Sequence, residues 1–198
     1  MNLTGLTDAE IWISFKAGEK WTMAYVYSEN AETLFRYGLK FTPDGALVED
    51  ALQDLFAELI KNRKSLGDTD NILFYLLKSF KRKLLRKIQS EKRYDWKEEI
   101  EGYHFEVTWS VEHDFILNEF SEQKVKMLSE ALQKLTPRQK EAIYLRFTKE
   151  LDYKEVAGLM DISVEACRNL IAKAISILKK CISEKGQSPA VFFYMFLK

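Results

Sequence analysis

Apolar residues recur at spacings of three and four along most of the chain, as in helices that bury one face. Thr7 with Glu10 forms a capping box that opens a short helix containing Ile11, Trp12 and Phe15, with Gly18 ending it. A longer helix follows to about Lys40, with Ala24, Tyr27, Ala31, Leu34, Phe35 and Gly38 at helical spacing and expected in the core. Thr42-Pro43-Asp44-Gly45 reads as a turn. Beyond it Leu47, Val48, Ala51, Leu52, Leu55, Phe56, Leu59 and Ile60 make a regular apolar stripe, leaving Asp50, Gln53, Asp54 and Glu58 on the other face. Ser65-Leu66-Gly67 breaks the chain again. Asp70 is expected to cap a helix reaching about Arg93, with Leu73, Leu76, Leu77, Phe80, Leu84 and Ile88 inward and Lys78, Lys81, Arg82, Arg86 and Arg93 largely outward.

The helical period fails from Tyr94 to Glu122, a stretch that reads as a linker with a short extended piece at Tyr103 to Trp109. It resumes from about Ser121 to Lys134, with Val125, Leu128, Ala131, Leu132 and Leu135. Thr136, Pro137 and Gln139 then give a clear helix start: a cap, a first-turn residue needing no donor, and a side chain that reaches back. That helix runs to about Phe147. Asp152 caps a second, Tyr153 to Met160, and after a turn at Asp161-Ile162, Ser163 caps a third. In this third helix Cys167, Leu170, Ile171, Ala174, Ile175 and Leu178 form the buried stripe. Glu165, Arg168, Asn169, Ala172 and Lys173 face away from it. Thr136 to Lys180 is thus a helix-turn-helix. Arg and Asn near the front of its third helix suit guanine and adenine edges in a major groove. A three-helix packing unit with solvated charges has the same spacing.

The expected fold is all-α: two helical domains at residues 1–93 and 123–183, an acidic linker at 94–122 and an apolar tail at 184–198. Within the tail, Ala190 to Leu197 is an unbroken apolar run that either docks back on the C-terminal domain or meets a partner protein.

The 198 residues have a formal net charge of zero, but the charge is sorted into blocks. Asp44 to Glu58 holds five acids and no base, Lys78 to Arg93 eight bases against Glu91, and Glu98 to Glu122 eight acids and no Lys or Arg. Such sorting implies separate surfaces for separate partners, the basic one for a polyanion. A basic amphipathic helix can also lie on an anionic membrane or enter a partner's groove.

Several classes of function find no support. Cys167 and Cys181, the two cysteines, lie roughly 21 Å apart if one helix carries both, too far to bridge, so a reduced cytoplasmic protein is expected. No apolar run approaches the roughly 20 residues that span a bilayer, and no signal peptide is visible, so stable membrane insertion is not expected. There is no glycine-rich phosphate loop, no zinc-spaced cysteine pair and no His-Glu metal motif. His104 and His113 both fall in the irregular connector. No enzyme, metal site or cofactor is expected.

Taken together these residues resemble a bacterial sigma factor of the compact extracytoplasmic-function branch, which keeps only the second and fourth regions of larger sigma factors. The resemblance covers roughly Glu19 to Arg93 and Val125 to Lys180. Leu47 to Phe56 is similar to the family's acidic signature, in which an Asp, a Gln, a second acid and a Phe recur on one helix. It implies that Asp50, Gln53 and Asp54 contact core RNA polymerase, with Phe56 as core support. Tyr75 to Arg93 is similar to the helix pair that melts and reads the minus-ten element, implying DNA contacts by Lys78, Lys81, Arg82, Arg86 and Arg93. Arg82 stands where an Asn is usual. Ile162 to Ala174 resembles the minus-thirty-five reading segment, implying contacts by Ser163, Glu165, Arg168, Asn169 and Lys173. Here Asp161 replaces the usual turn glycine, and Leu170 occupies a position often basic in relatives.

The resemblance therefore implies a transcription initiation factor whose partners are core RNA polymerase, through the beta-prime clamp and beta flap, and promoter DNA. An anti-sigma factor is a further candidate partner. The acidic linker fits a connector that threads into the RNA exit path. The alternative is a helix-turn-helix regulator that binds an operator without acting as a sigma factor. An adaptor that only bridges proteins leaves both basic surfaces unexplained.

Overall fold

The computed structural model describes residues 5–91, 104–107 and 122–184. Among the described residues the α-helices are α1 (Asp8–Ala17), α2 (Lys20–Gly38), α3 (Gly45–Asn62), α4 (Ile72–Glu91), α5 (Glu122–Gln133), α6 (Pro137–Ile143), α7 (Tyr153–Met160) and α8 (Val164–Glu184). A 3-10 turn at Arg63–Ser65 follows α3, and a π-helical turn at Tyr144–Thr148 follows α6. No strand occurs among the described residues, so the all-α expectation holds. The chain divides into two compact units, Met1–Ile100 and Glu101–Lys198.

In the first unit α2, α3 and α4 pack against one another, and α1 closes against α2, α4 and the 3-10 turn. Thr7 and Glu10 form the expected capping box, and Gly18 ends α1 at φ 93°, a left-handed conformation that glycine adopts without a Cβ penalty. The α3 stripe from Leu47 to Leu59 is buried, at about 1.5–3 kcal/mol for each fully buried large aliphatic side chain. Ile60 departs from expectation and is exposed. Trp12 lies stacked on Phe15 and donates its indole N–H to the Gly67 carbonyl at 2.8 Å, tying α1 to the turn before α4.

Two further expectations in this unit are corrected. Asn71, not Asp70, caps α4: its Oδ1 accepts from the Phe74 N–H at 2.9 Å, while Asp8 accepts from the Ile72 N–H at 2.7 Å. The buried face of α2 carries Thr22, Val26, Leu34 and Tyr37, whereas Ala24 and Tyr27 are exposed. Thr22 can lie in the core because its hydroxyl donates to the Glu19 carbonyl at 2.6 Å, which satisfies the polar group locally.

In the second unit α8 forms the spine against which α5, α6 and α7 pack. Thr136 and Gln139 make the expected capping box on α6 with Pro137 in its first turn. Asp152 and Glu155 make another on α7, for which only the cap had been expected. Asp161 closes α7 in the left-handed region at φ 51° and ψ 48°, the conformation the usual glycine would supply. Ser163 Oγ then accepts from the Ala166 N–H at 3.1 Å at the start of α8. Cys167, Ile171, Ala174 and Leu178 are buried, while Leu170 and Ile175 are half-buried at the margin of the stripe.

Residues 104–107 belong to the second unit. Phe105 is completely buried, 5.9 Å from the Tyr144 ring, and Glu106 meets the Lys140 ammonium at 3.1 Å. Lys140 is itself almost fully buried, so this pair supplies a countercharge that a desolvated ammonium needs. The rest of the expected linker, Arg93, His113 and the apolar run Ala190 to Leu197 lie outside the described residues.

Candidate nucleic-acid and protein interfaces

The helical period of α3 sends its apolar residues inward and leaves Asp50, Gln53 and Asp54 exposed on one side. The two carboxylates are one turn apart, with Gln53 beside Asp54. They do not stand alone. Lys87 of α4 reaches across to meet both Asp50 and Asp54, the second at 2.7 Å, and Lys83 meets Glu58 at 2.6 Å. Hydrogen bonding to Lys87 holds the Asp54 carboxyl below the ordinary carboxylate range, and Lys83 does the same for Glu58. Hydrogen bonds to Asp50 and Asp54 raise the Lys87 ammonium in turn.

The basic residues of α4 therefore divide. Lys83 and Lys87 turn toward α3 and its acids. Arg82 and Arg86 are exposed, and Lys78 is half-buried with its ammonium 5.9 Å from the Phe74 ring centroid. Lys81 was expected outward and is instead buried, at 7% exposure, with its ammonium 5.9 Å from the Phe41 ring centroid. The physical reason is its long stem, which lies along the apolar interior while the charge faces an aromatic ring. Lys83 and Lys87 were not singled out from the sequence. The register that makes them face α3 depends on how the two helices cross.

Tyr75, half-buried on α4, packs at 4.8 Å from Trp12, and burial raises its phenol above the ordinary value. This aromatic therefore contributes to the seam between α1 and α4.

In the second unit, Ser163, Glu165, Arg168, Asn169 and Lys173 are all exposed at the start and along one side of α8. The opposite side holds Cys167, whose thiol is pushed up by burial. Capping by Ser163 makes its hydroxyl the acceptor for the Ala166 N–H and fixes the first turn. Arg168 lies with its guanidinium carbon 5.6 Å from the Tyr153 ring centroid, and Arg146 approaches the same ring at 5.1 Å. Neither contact was legible beforehand, since the partners sit on different elements.

Exposed cations flanked by aromatics suit phosphate and base contacts, and the exposed acids of α3 suit a basic protein surface. Among the described residues no helix is long and apolar enough to cross a membrane.

The family profile described as Sigma-70 region 2 matches residues 26–94, and the one described as Sigma-70, region 4 matches residues 126–178. No curated protein sequence matches the chain. Among solved structures, CnrH in complex with the cytosolic domain of CnrY is similar over 89% of this chain and 97% of its own, at a TM-score of 0.58 and 15% identity. The sigma factor RpoE of Bartonella quintana, solved with the anti-sigma factor NepR, is similar over 83% of this chain and 96% of its own, at a TM-score of 0.54 and 16% identity. At such identities these structures speak for the fold. A regulator that only binds an operator has no use for region 2, so that alternative falls. Because the two matches together span more than half of the 198 residues, the chain belongs to the sigma-70 family of transcription initiation factors.

Proposed function

We propose that residues 1–93 bind core RNA polymerase and the minus-ten element, and that residues 123–183 read the minus-thirty-five element. Asp50, Gln53 and Asp54 are the polymerase contacts in this reading. Lys78, Arg82, Arg86 and Arg93 hold minus-ten DNA, with Lys81 contributing through its charge rather than by direct reach. Ser163, Glu165, Arg168, Asn169 and Lys173 face the minus-thirty-five duplex. The observation that carries the assignment is the exposed Asp50, Gln53 and Asp54 face on a helix whose other side is wholly committed to the core.

The protein works in the cytoplasm and performs no chemistry of its own. Differential binding drives opening of the promoter: contacts to the single strand must offset a few kcal/mol of unstacking for each flipped base. Since the structural neighbour RpoE was solved with an anti-sigma factor, this chain is also a candidate for such control.

Transcription with purified core polymerase on a genomic promoter library tests the reading. Output from a discrete set of promoters, absent with core alone, is expected. Failure to bind core, or output independent of promoter sequence, overturns it.

A further inference from the structure

Arg146 and Arg168, from two different elements, converge on the ring of Tyr153 from a third. The π-helical turn Tyr144–Thr148 sets the arrangement. It is followed by Glu150 at φ 57°, and the Leu151 N–H then donates back to the Leu145 carbonyl at 3.2 Å. This fold-back brings the Leu151 carbonyl to Arg146, whose Nη1 donates to it at 3.0 Å. Arg146 is half-buried, and its guanidinium carbon stands 5.1 Å from the Tyr153 ring centroid. Tyr153 is the first residue of α7, whose start the Asp152 and Glu155 capping box fixes. Arg168 on α8 is exposed and brings its own guanidinium carbon to 5.6 Å from that ring.

An exposed arginine on a helix samples many rotamers, and a bidentate base contact requires one. A ring that is itself anchored reduces that search, because the electron-rich face attracts the guanidinium and leaves its fork of donors usable. Arg146 is hydrogen-bonded to the backbone and so acts as the fixed end, whereas Arg168 is the end open to a ligand.

We propose that Tyr153 is a positioning residue for promoter recognition, its anchored ring presetting the Arg168 guanidinium for a base edge in the minus-thirty-five duplex. The proposal rests on the reading of α8 as the minus-thirty-five surface. Tyr153 acts through Arg168, and its hydroxyl has no part in this.

The test uses holoenzyme reconstituted from the full chain and core polymerase, with a duplex library randomised across the minus-thirty-five region as the probe. Arg168→Ala should flatten the preference at one base position. Tyr153→Phe should leave selection unchanged. Tyr153→Leu and Tyr153→Gln should weaken the preference at that same position by roughly two- to fivefold, the scale of one exposed cation–π contact, and should add nothing in an Arg168→Ala background. If Arg168→Ala changes no base preference, the reading of Arg168 fails and the proposal with it. If Arg168→Ala flattens the position but neither ring-free variant does, the reading stands and the positioning role is overturned. A uniform loss across all sequences that persists without Arg168 also overturns it, because Tyr153 would then act on DNA or on the fold directly.

Discussion

Lys87 brings its ammonium to 2.7 Å from an Asp54 carboxylate oxygen, tying the acidic face of α3 to the basic helix α4. The acids assigned to polymerase are therefore paired with a lysine of the same helix that carries Arg82 and Arg86, two of the residues assigned to DNA. Exposed pairs of this kind contribute little to stability, so a basic partner surface can displace the lysine readily.

Asp54→Lys should weaken binding to core polymerase by roughly tenfold or more, the loss of one interfacial charge contact plus repulsion by its replacement. Equilibrium binding to purified core measures this. Minus-thirty-five binding by the C-terminal unit should be unchanged, and an equal loss in both assays would contradict the division of labour between units.

The same pair has a defined pH dependence. Asp54 is lowered by Lys87, so its contribution is complete above the unfolded carboxyl's value and fades as pH falls through the folded value. Lys87 is raised, so its contribution is complete below the unfolded ammonium's value and fades as pH rises through the folded one. Around neutral pH both are present. In a carboxyl-detected NMR titration, Lys87→Ala should move the Asp54 midpoint upward, toward an ordinary carboxylate. An unmoved midpoint would show that the pair does not persist in solution.

Gly38→Ala should destabilise the N-terminal unit. A Cβ there would stand 2.6 Å from Val48 Cγ1 and 3.0 Å from Phe80 Cζ, inside van der Waals contact with two core side chains. Overpacking costs about 1–3 kcal/mol, against at most about 1 kcal/mol gained from alanine's helix propensity. Urea unfolding should show a lower midpoint.

Phe105→Ala should cost about 3–5 kcal/mol in the second unit, as expected for deleting a completely buried aromatic ring. Thermal unfolding followed by a probe confined to that unit should record the loss. A change under 1 kcal/mol would mean that residues 104–107 add little to its core.

Where the physics is local, the sequence was legible. The capping boxes at Thr7 and Thr136, the α3 stripe and the turn at Asp161 each depend on residues within one or two turns of each other. What escaped depends on tertiary placement. Lys81 reads as surface until its stem finds the interior beside Phe41. Phe105 sits in an aperiodic acidic stretch, and only the socket beside Tyr144 makes it core. Lys140 and Glu141 look solvent-facing but are buried, in a short helix enclosed by its neighbours. Asn71 displaces Asp70 as the cap of α4 because the chain enters that helix one residue later than composition suggests. The outward faces of α3 and α8 follow from helical period alone. The lysines that neutralise one and the tyrosine that meets the other do not.

Cys167 lies with no exposed surface on the inner side of the helix whose outer side carries Arg168 and Asn169. Burial also raises its thiol, so the reactive thiolate is scarce while the helix stays docked. Alkylation at this position must wait for the helix to lift from its core, which makes the cysteine a native clock for opening of the unit. Half-buried Cys181, farther along the same helix, provides the internal standard against which that clock can be read.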